Sequence, residues 1–179
     1  TPASVMAHLA RTRPTPNADQ HKTIQNRWLV GDAYLDLGER IEEVMHSVGI
    51  DPTKLRKDAV LANDILLTVS PEWFRPDAPE KHGTWDDNRL KTFQAEAEQM
   101  LRETFGKRLV AAVLHLDEAT PHVQAVVVPI MRKKDDAPGW RLSAKDMFNP
   151  KSLGSLQDRW EARMEPHGVG KRVKGSRAR

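Results

Sequence analysis

Apolar residues along this chain fall into two textures. In the first they recur at three- and four-residue steps, the spacing of one helix face. Leu35, Ile41, Val44, Met45 and Val48 predict an amphipathic helix over 31–48, with Tyr34 and Leu37 widening its face and Gly49 closing it. Leu90, Phe93, Ala97, Met100, Leu101 and Phe105 predict the longest helix, over 84–105, capped by Thr84 and ended by Gly106. Leu153, Leu156, Trp160 and Met164 predict a closing helix over 152–164, and Ser4 caps a short one over 6–11 that Pro14 and Pro16 stop. In the second texture apolar residues are contiguous and rich in Val, Ala and Leu. Segments 109–114 and 125–128 are short enough to predict strands. Segment 59–69 is apolar on both sides of Asn63-Asp64 and predicts a central strand. Trp73 and Phe74 are expected to seal a core edge, and 75–83 and 132–139 to be loops.

Composition narrows the class. The 179 residues suffice for one well-buried domain, and no internal repeat or low-complexity linker divides them. There are no cysteines, which excludes disulfides and thiolate zinc sites. No apolar run is long enough to cross a bilayer and no signal-peptide pattern opens the chain, so a cytoplasmic location is expected. The formal net charge is only +3, but the last ten residues hold five basic side chains, Lys171, Arg172, Lys174, Arg177 and Arg179, and no acid. Such a tail is either an electrostatic footprint for a polyanion or a solvated terminus.

The chemistry concentrates in His115-Leu-Asp-Glu-Ala-Thr-Pro-His-Val-Gln124, between two predicted strands. Asp117 to Pro121 has turn chemistry. In a strand, residues two apart share a face, so His122 and Gln124 project together while Val123 faces a core. Folding the turn back brings His115 to that pair. Two imidazoles and an amide oxygen, with Asp117 and Glu118 near, suit a divalent metal with open positions.

This string resembles the metal motif of the Mob/Pre (MobV-type) plasmid mobilisation relaxases of the HUH endonuclease superfamily, His-x-Asp-Glu-x-(Thr/Ser)-Pro-His-x-His followed by an apolar strand and Pro. Asp117, Glu118, Thr120, Pro121, His122 and Pro129 fit; Gln124 departs, standing where most of the family has a third His. His8, Arg11, Thr15, Pro16, Asn17, Asp19 and Asn26 are similar to the family's N-terminal motif, and Arg56-Lys57-Asp58 and Leu142-Ser-Ala-Lys145 to two further segments. A strand usually precedes the N-terminal motif, and the family continues past segments like Gly175–Arg179. Residues 1–179 are therefore expected to form one relaxase domain trimmed at both ends.

The resemblance implies an α+β fold, an antiparallel sheet with helices packed on it. It implies a metal-dependent nuclease that nicks one DNA strand at an origin of transfer and starts plasmid mobilisation. It implies a Mn²⁺ or Mg²⁺ cofactor on His115, His122 and Gln124, and an adduct of the 5′ phosphate with His8 in place of the usual tyrosine. Arg11 and Glu118 complete the expected catalytic set, with Glu118 orienting a ligand or the nucleophile, or binding the metal. Arg56, Lys57, Arg141, Lys145, Asn17, Asn26 and the tail bases Lys171, Arg172, Lys174, Arg177 and Arg179 are expected to hold single-stranded and hairpin DNA. A conjugation coupling protein is an expected partner. Two alternatives stay open: an HUH replication initiator or transposase acting through Tyr34, the chain's one tyrosine, and a non-catalytic origin-binding protein.

Overall fold

The structure, a computed structural model, describes residues 1–133 and 138–171. Four antiparallel strands form the main sheet: β1 (Arg27–Val30), β2 (Asn63–Thr68), β3 (Leu109–His115) and β4 (His122–Val127), in the order β1-β3-β4-β2. β3 and β4 are central, which is why their sequences are nearly unbroken apolar runs: both faces are covered. One face carries Ala111, Val113 and Val126 and packs on Leu9 of α1 (Pro2–Leu9) and on Leu37, Ile41, Val44 and Met45 of α2 (Leu37–His46). The other carries Leu114, Val123, Ala125 and Val127. It packs on α3 (Pro71–Phe74), on α4 (Asp87–Phe105) through Leu90, Phe93, Ala97, Leu101 and Phe105, and on Met164 of α6 (Pro150–Met164). A small hairpin, β5 (Ile130–Arg132) and β6 (Trp140–Leu142), and the short α5 (Ala144–Met147) follow β4 in the chain before α6, and Ile130, Trp140 and Leu142 of the hairpin pack with the α1–α2 face.

The α+β architecture matches the expectation, and several boundaries do not. Residues 31–36 are not helical. Asp36 caps α2 by accepting from the Glu39 amide at 3.0 Å, and Tyr34 is 97% exposed rather than part of an apolar face. β1 escaped the pattern because it is four residues long and opens on Arg27. α4 is capped by Asp86, which accepts from the Arg89 amide at 2.9 Å, while the Thr84 hydroxyl donates to Lys81. α1 starts earlier than expected, with Thr1 accepting from the Ser4 amide and Pro2 in the first turn, where no amide hydrogen is needed. α6 likewise starts at Pro150 behind an Asn149 cap, and Leu153 is exposed. β2 is an edge strand, not a central one, and Leu66 lies open to solvent at 60% exposure. Trp73 and Phe74 are buried in the core, as expected.

Candidate active site and metal centre

β3 ends on His115 and β4 begins on His122, and the two are directly paired across the ladder. Their ring centroids lie 5.2 Å apart. Gln124 sits two residues along β4 on the same face, opposite Val113. That face is the one α1 covers, and α1 delivers His8 with its ring centroid 6.1 Å from that of His115. Three imidazoles therefore converge from an N-terminal helix and two central strands.

The chain after α1 reverses through Arg11, whose φ of 54° is the only left-handed non-glycine backbone among the described residues. That conformation costs about 1–2 kcal/mol. The interactions of the Arg11 side chain hold it: Nε donates to Asp117 at 2.9 Å, and Nη2 donates to Asp117 at 3.0 Å and to Glu118 at 2.5 Å. Asp117 is 2% exposed and also accepts from the Thr23 hydroxyl and the Asn26 amide. Burial alone would raise its carboxyl, but Arg11, Asn26 and Thr23 bring it down to about 2. The other end of the Asn26 amide accepts from the backbone of Leu116 at 2.7 Å. Asp117 thus anchors the N-terminal segment to the turn between the two histidine strands.

Arg11 also sets the state of His8. Nη1 lies 3.3 Å from His8 Nε2, and a guanidinium can only donate. So Nε2 carries the lone pair and the proton sits on Nδ1. Burial, and then the Arg11 charge, push the His8 pKa below the ordinary imidazole value, which favours the neutral ring.

The donor set fits a divalent cation. His115 is fully buried, and neither ring nitrogen has a hydrogen-bond partner. Burial, followed by Arg11 and His122, depresses its pKa to about 3, so the ring is neutral. A buried polar ring with both nitrogens unsatisfied is costly unless something else occupies a lone pair. His122 Nδ1 lies 3.1 Å from the Thr120 carbonyl, which can only accept. Its Nε2 lone pair is then free, 4.0 Å from Glu118. This backbone-anchored imidazole is the usual way a ligand histidine is oriented. Among the described residues no group of three His, Asp or Glu is placed to hold a metal. Gln124, two residues from His122 on the same face of β4, is the nearest residue along that face with a further oxygen donor.

The remaining expected site residues are scattered. Arg56 and Lys145 line one groove of about 360 Å³ together with Lys54. Lys57 is exposed nearby in the chain, and Arg56 lies 3.6 Å from Asp58. Arg141 is tied to Asp146, and Lys171 is 3.5 Å from Glu165. Asn17 lines a cleft of about 210 Å³ with Lys22, His82 and Glu118. Asn26, expected at the DNA, has both ends of its amide hydrogen-bonded inside the protein, Nδ2 donating to Asp117 and Oδ1 accepting from the Leu116 amide. Arg172, Lys174, Arg177 and Arg179 lie outside the described residues. Two site residues were not anticipated, Thr23 and Asp64. Asp64 lies on the β2 edge beside Gln124, and its carboxyl is raised by desolvation against the opposing pull of Gln124 and His8. The alternation of Asn63, Ile65 and Leu67 against Asp64, Leu66 and Thr68 was the available signal for Asp64.

Comparison with known proteins fits this geometry. The family described as a plasmid recombination enzyme, Mob/Pre, matches residues 4–178. A 65 kDa protein of Zymomonas mobilis is 36% identical over 175 residues, covering 96% of this chain and 27% of that protein. A plasmid recombination enzyme of a Bacillus species is 31% identical over 158 residues, covering 88% of this chain and 34% of the relative. Among solved structures, the Mn-bound MobM relaxase domain on pMV158 oriT DNA superposes with a TM-score of 0.77 at 25% identity, over 99% of this chain and 87% of that one. An antiparallel sheet with paired histidines at its centre and an imidazole-bearing helix across one face is therefore a relaxase-type fold. The chain belongs to the Mob/Pre family of plasmid recombination enzymes, in its MobV-type branch. It spans about a third of the length of the curated relatives it matches.

Proposed function

We propose that this chain is the DNA-nicking domain of a plasmid mobilisation relaxase, cutting one strand at an origin of transfer and retaining the 5′ phosphate on His8. The observation that carries this reading is the convergence of a neutral His8 with the buried, unpartnered His115 and with His122. The MobM relative, crystallised with Mn and origin DNA, supports DNA and a divalent metal as the ligands.

In this reading the Arg11 hydrogen bond to His8 Nε2 is given up as DNA enters, and the freed Nε2 lone pair attacks the scissile phosphorus. A P–N bond forms as the P–O3′ bond breaks. The departing 3′ oxygen takes a proton from water, and the imidazolium left on His8 sheds its Nδ1 proton to solvent. Arg11 holds the attacking nitrogen in the required tautomer. Glu118 shares the Arg11 guanidinium with Asp117 and so fixes it beside His8. His115, His122 and Gln124 would hold Mn²⁺ or Mg²⁺, which when bound would neutralise charge on the phosphate oxygens. The reaction belongs in the cytoplasm, with a conjugation coupling protein receiving the cut strand.

Incubation with supercoiled plasmid carrying the cognate origin and Mn²⁺ tests this. The expected product is an open circle with protein attached to its 5′ end, lost when EDTA removes the metal. Binding without nicking would leave only an origin-recognition role. A second prediction concerns the groove of Lys54, Arg56 and Lys145. Arg56→Ala and Lys145→Ala are each expected to flatten the slope of log affinity against log salt for single-stranded origin DNA by about 0.7. Unchanged slopes in a salt titration would remove this groove from the DNA path.

A further inference from the structure

We propose that Asp64 is the positioning residue that lets Gln124 serve as a cation ligand in place of a third histidine. The inference rests on the reading of His115, His122 and Gln124 as the ligands. It starts from the register. Asp64 is opposite Val126 and Leu66 is opposite Gln124, so Asp64 and Gln124 are diagonal neighbours on one face of the β2–β4 pair. From that diagonal position Gln124 acts on the Asp64 carboxyl, favouring its charged form against the effect of burial.

A carboxylate only accepts, so the end of the amide turned to Asp64 is its NH₂. The strand order β3-β4-β2 puts Asp64 and the His115 strand on opposite sides of Gln124. With NH₂ drawn toward β2, the carbonyl oxygen is left for the histidine side.

The chemistry gives this arrangement a purpose. A carboxamide can present either end to its surroundings, and only the oxygen attracts a cation. It is also neutral and a weaker donor than imidazole. A carboxylate behind the NH₂ selects the useful orientation and increases electron density on the oxygen. This is the role outer carboxylates play behind ligand histidines. Asp64 is on an exposed strand edge, where no packing requirement calls for an acid.

Mn²⁺ titration calorimetry on the metal-free protein tests the proposal without reference to nicking. The set is the parent, Asp64→Asn, Gln124→Leu, the double variant and His122→Ala, each checked for an unchanged melting temperature in EDTA. Asp64→Asn is expected to weaken Mn²⁺ binding about tenfold or more. In the Gln124→Leu background the same change should cost less than about twofold, because the group it acts through is gone. Asp64→Asn binding within twofold of the parent overturns the proposal. So does an equal loss in both backgrounds, which would make Asp64 a remote charge only. His122→Ala binding like the parent instead brings down the ligand reading itself, and this arm is read independently of Asp64.

Discussion

His8→Ala is expected to slow plasmid nicking by on the order of a thousandfold or more, the scale of losing a covalent nucleophile, while leaving Mn²⁺ binding and the melting temperature close to the parent's. His8 is only half-buried near the end of α1, so its removal leaves no large cavity. What is lost is a lone pair that three features prepare. Arg11 marks Nε2 as the unprotonated nitrogen, burial lowers the ring's pKa, and α1 holds the ring 6.1 Å from that of His115. The other candidate nucleophile, Tyr34, is 97% exposed in the link between β1 and α2. Its replacement by Phe should leave nicking within twofold. The rate of open-circle formation from supercoiled plasmid reads both variants. A His8→Ala rate within tenfold of the parent would end the nucleophile assignment.

The second large effect is on stability. Asp117→Ala is expected to destabilise the fold by about 3–5 kcal/mol, the range for stranding one partner of a buried ion pair. The Arg11 side chain is 4% exposed and that of Asp117 fully buried, so neither charge can turn to water. Thr23 and Asn26 would lose their acceptor at the same time. For a domain of this size the melting temperature should fall by on the order of 10 °C. Nicking should fall as well, because Arg11 would no longer be held against His8. Calorimetric melting of the parent and variant checks this. A fall below about 2 °C would mean that Asp117 does not join the N-terminal segment to the histidine turn.

Much of this site could be read in the residue string alone. The paired strands, the shared face of His122 and Gln124 and the opposite burial of Val123 follow from period-two geometry. The resemblance added the N-terminal motif, and the structure brings His8 and Arg11 to the same cluster. What local pattern could not carry was anything fixed by contacts distant in sequence. Asn26 resembles a ligand-facing amide in sequence, yet its two ends are used by Asp117 and Leu116, some ninety residues away. β2 reads as central because its flanks, 59–62 and Val69, are also apolar. Those flanks pack against α1 and α2 or the α4 core without joining the ladder, so the strand itself stays at an edge. The helix expected over 31–48 shortened for a local reason. Asp36 caps the helix more effectively than Gly31 can start it.

The most direct test is to locate the bond between protein and DNA. Protein trapped on a cleaved origin oligonucleotide can be digested and its nucleotidyl peptide sequenced by mass spectrometry. The account predicts the adduct on the peptide containing His8, with the acid lability and base stability of a phosphorus–nitrogen bond. An acid-stable adduct on Tyr34, or no covalent adduct in a reaction that nicks, would contradict it.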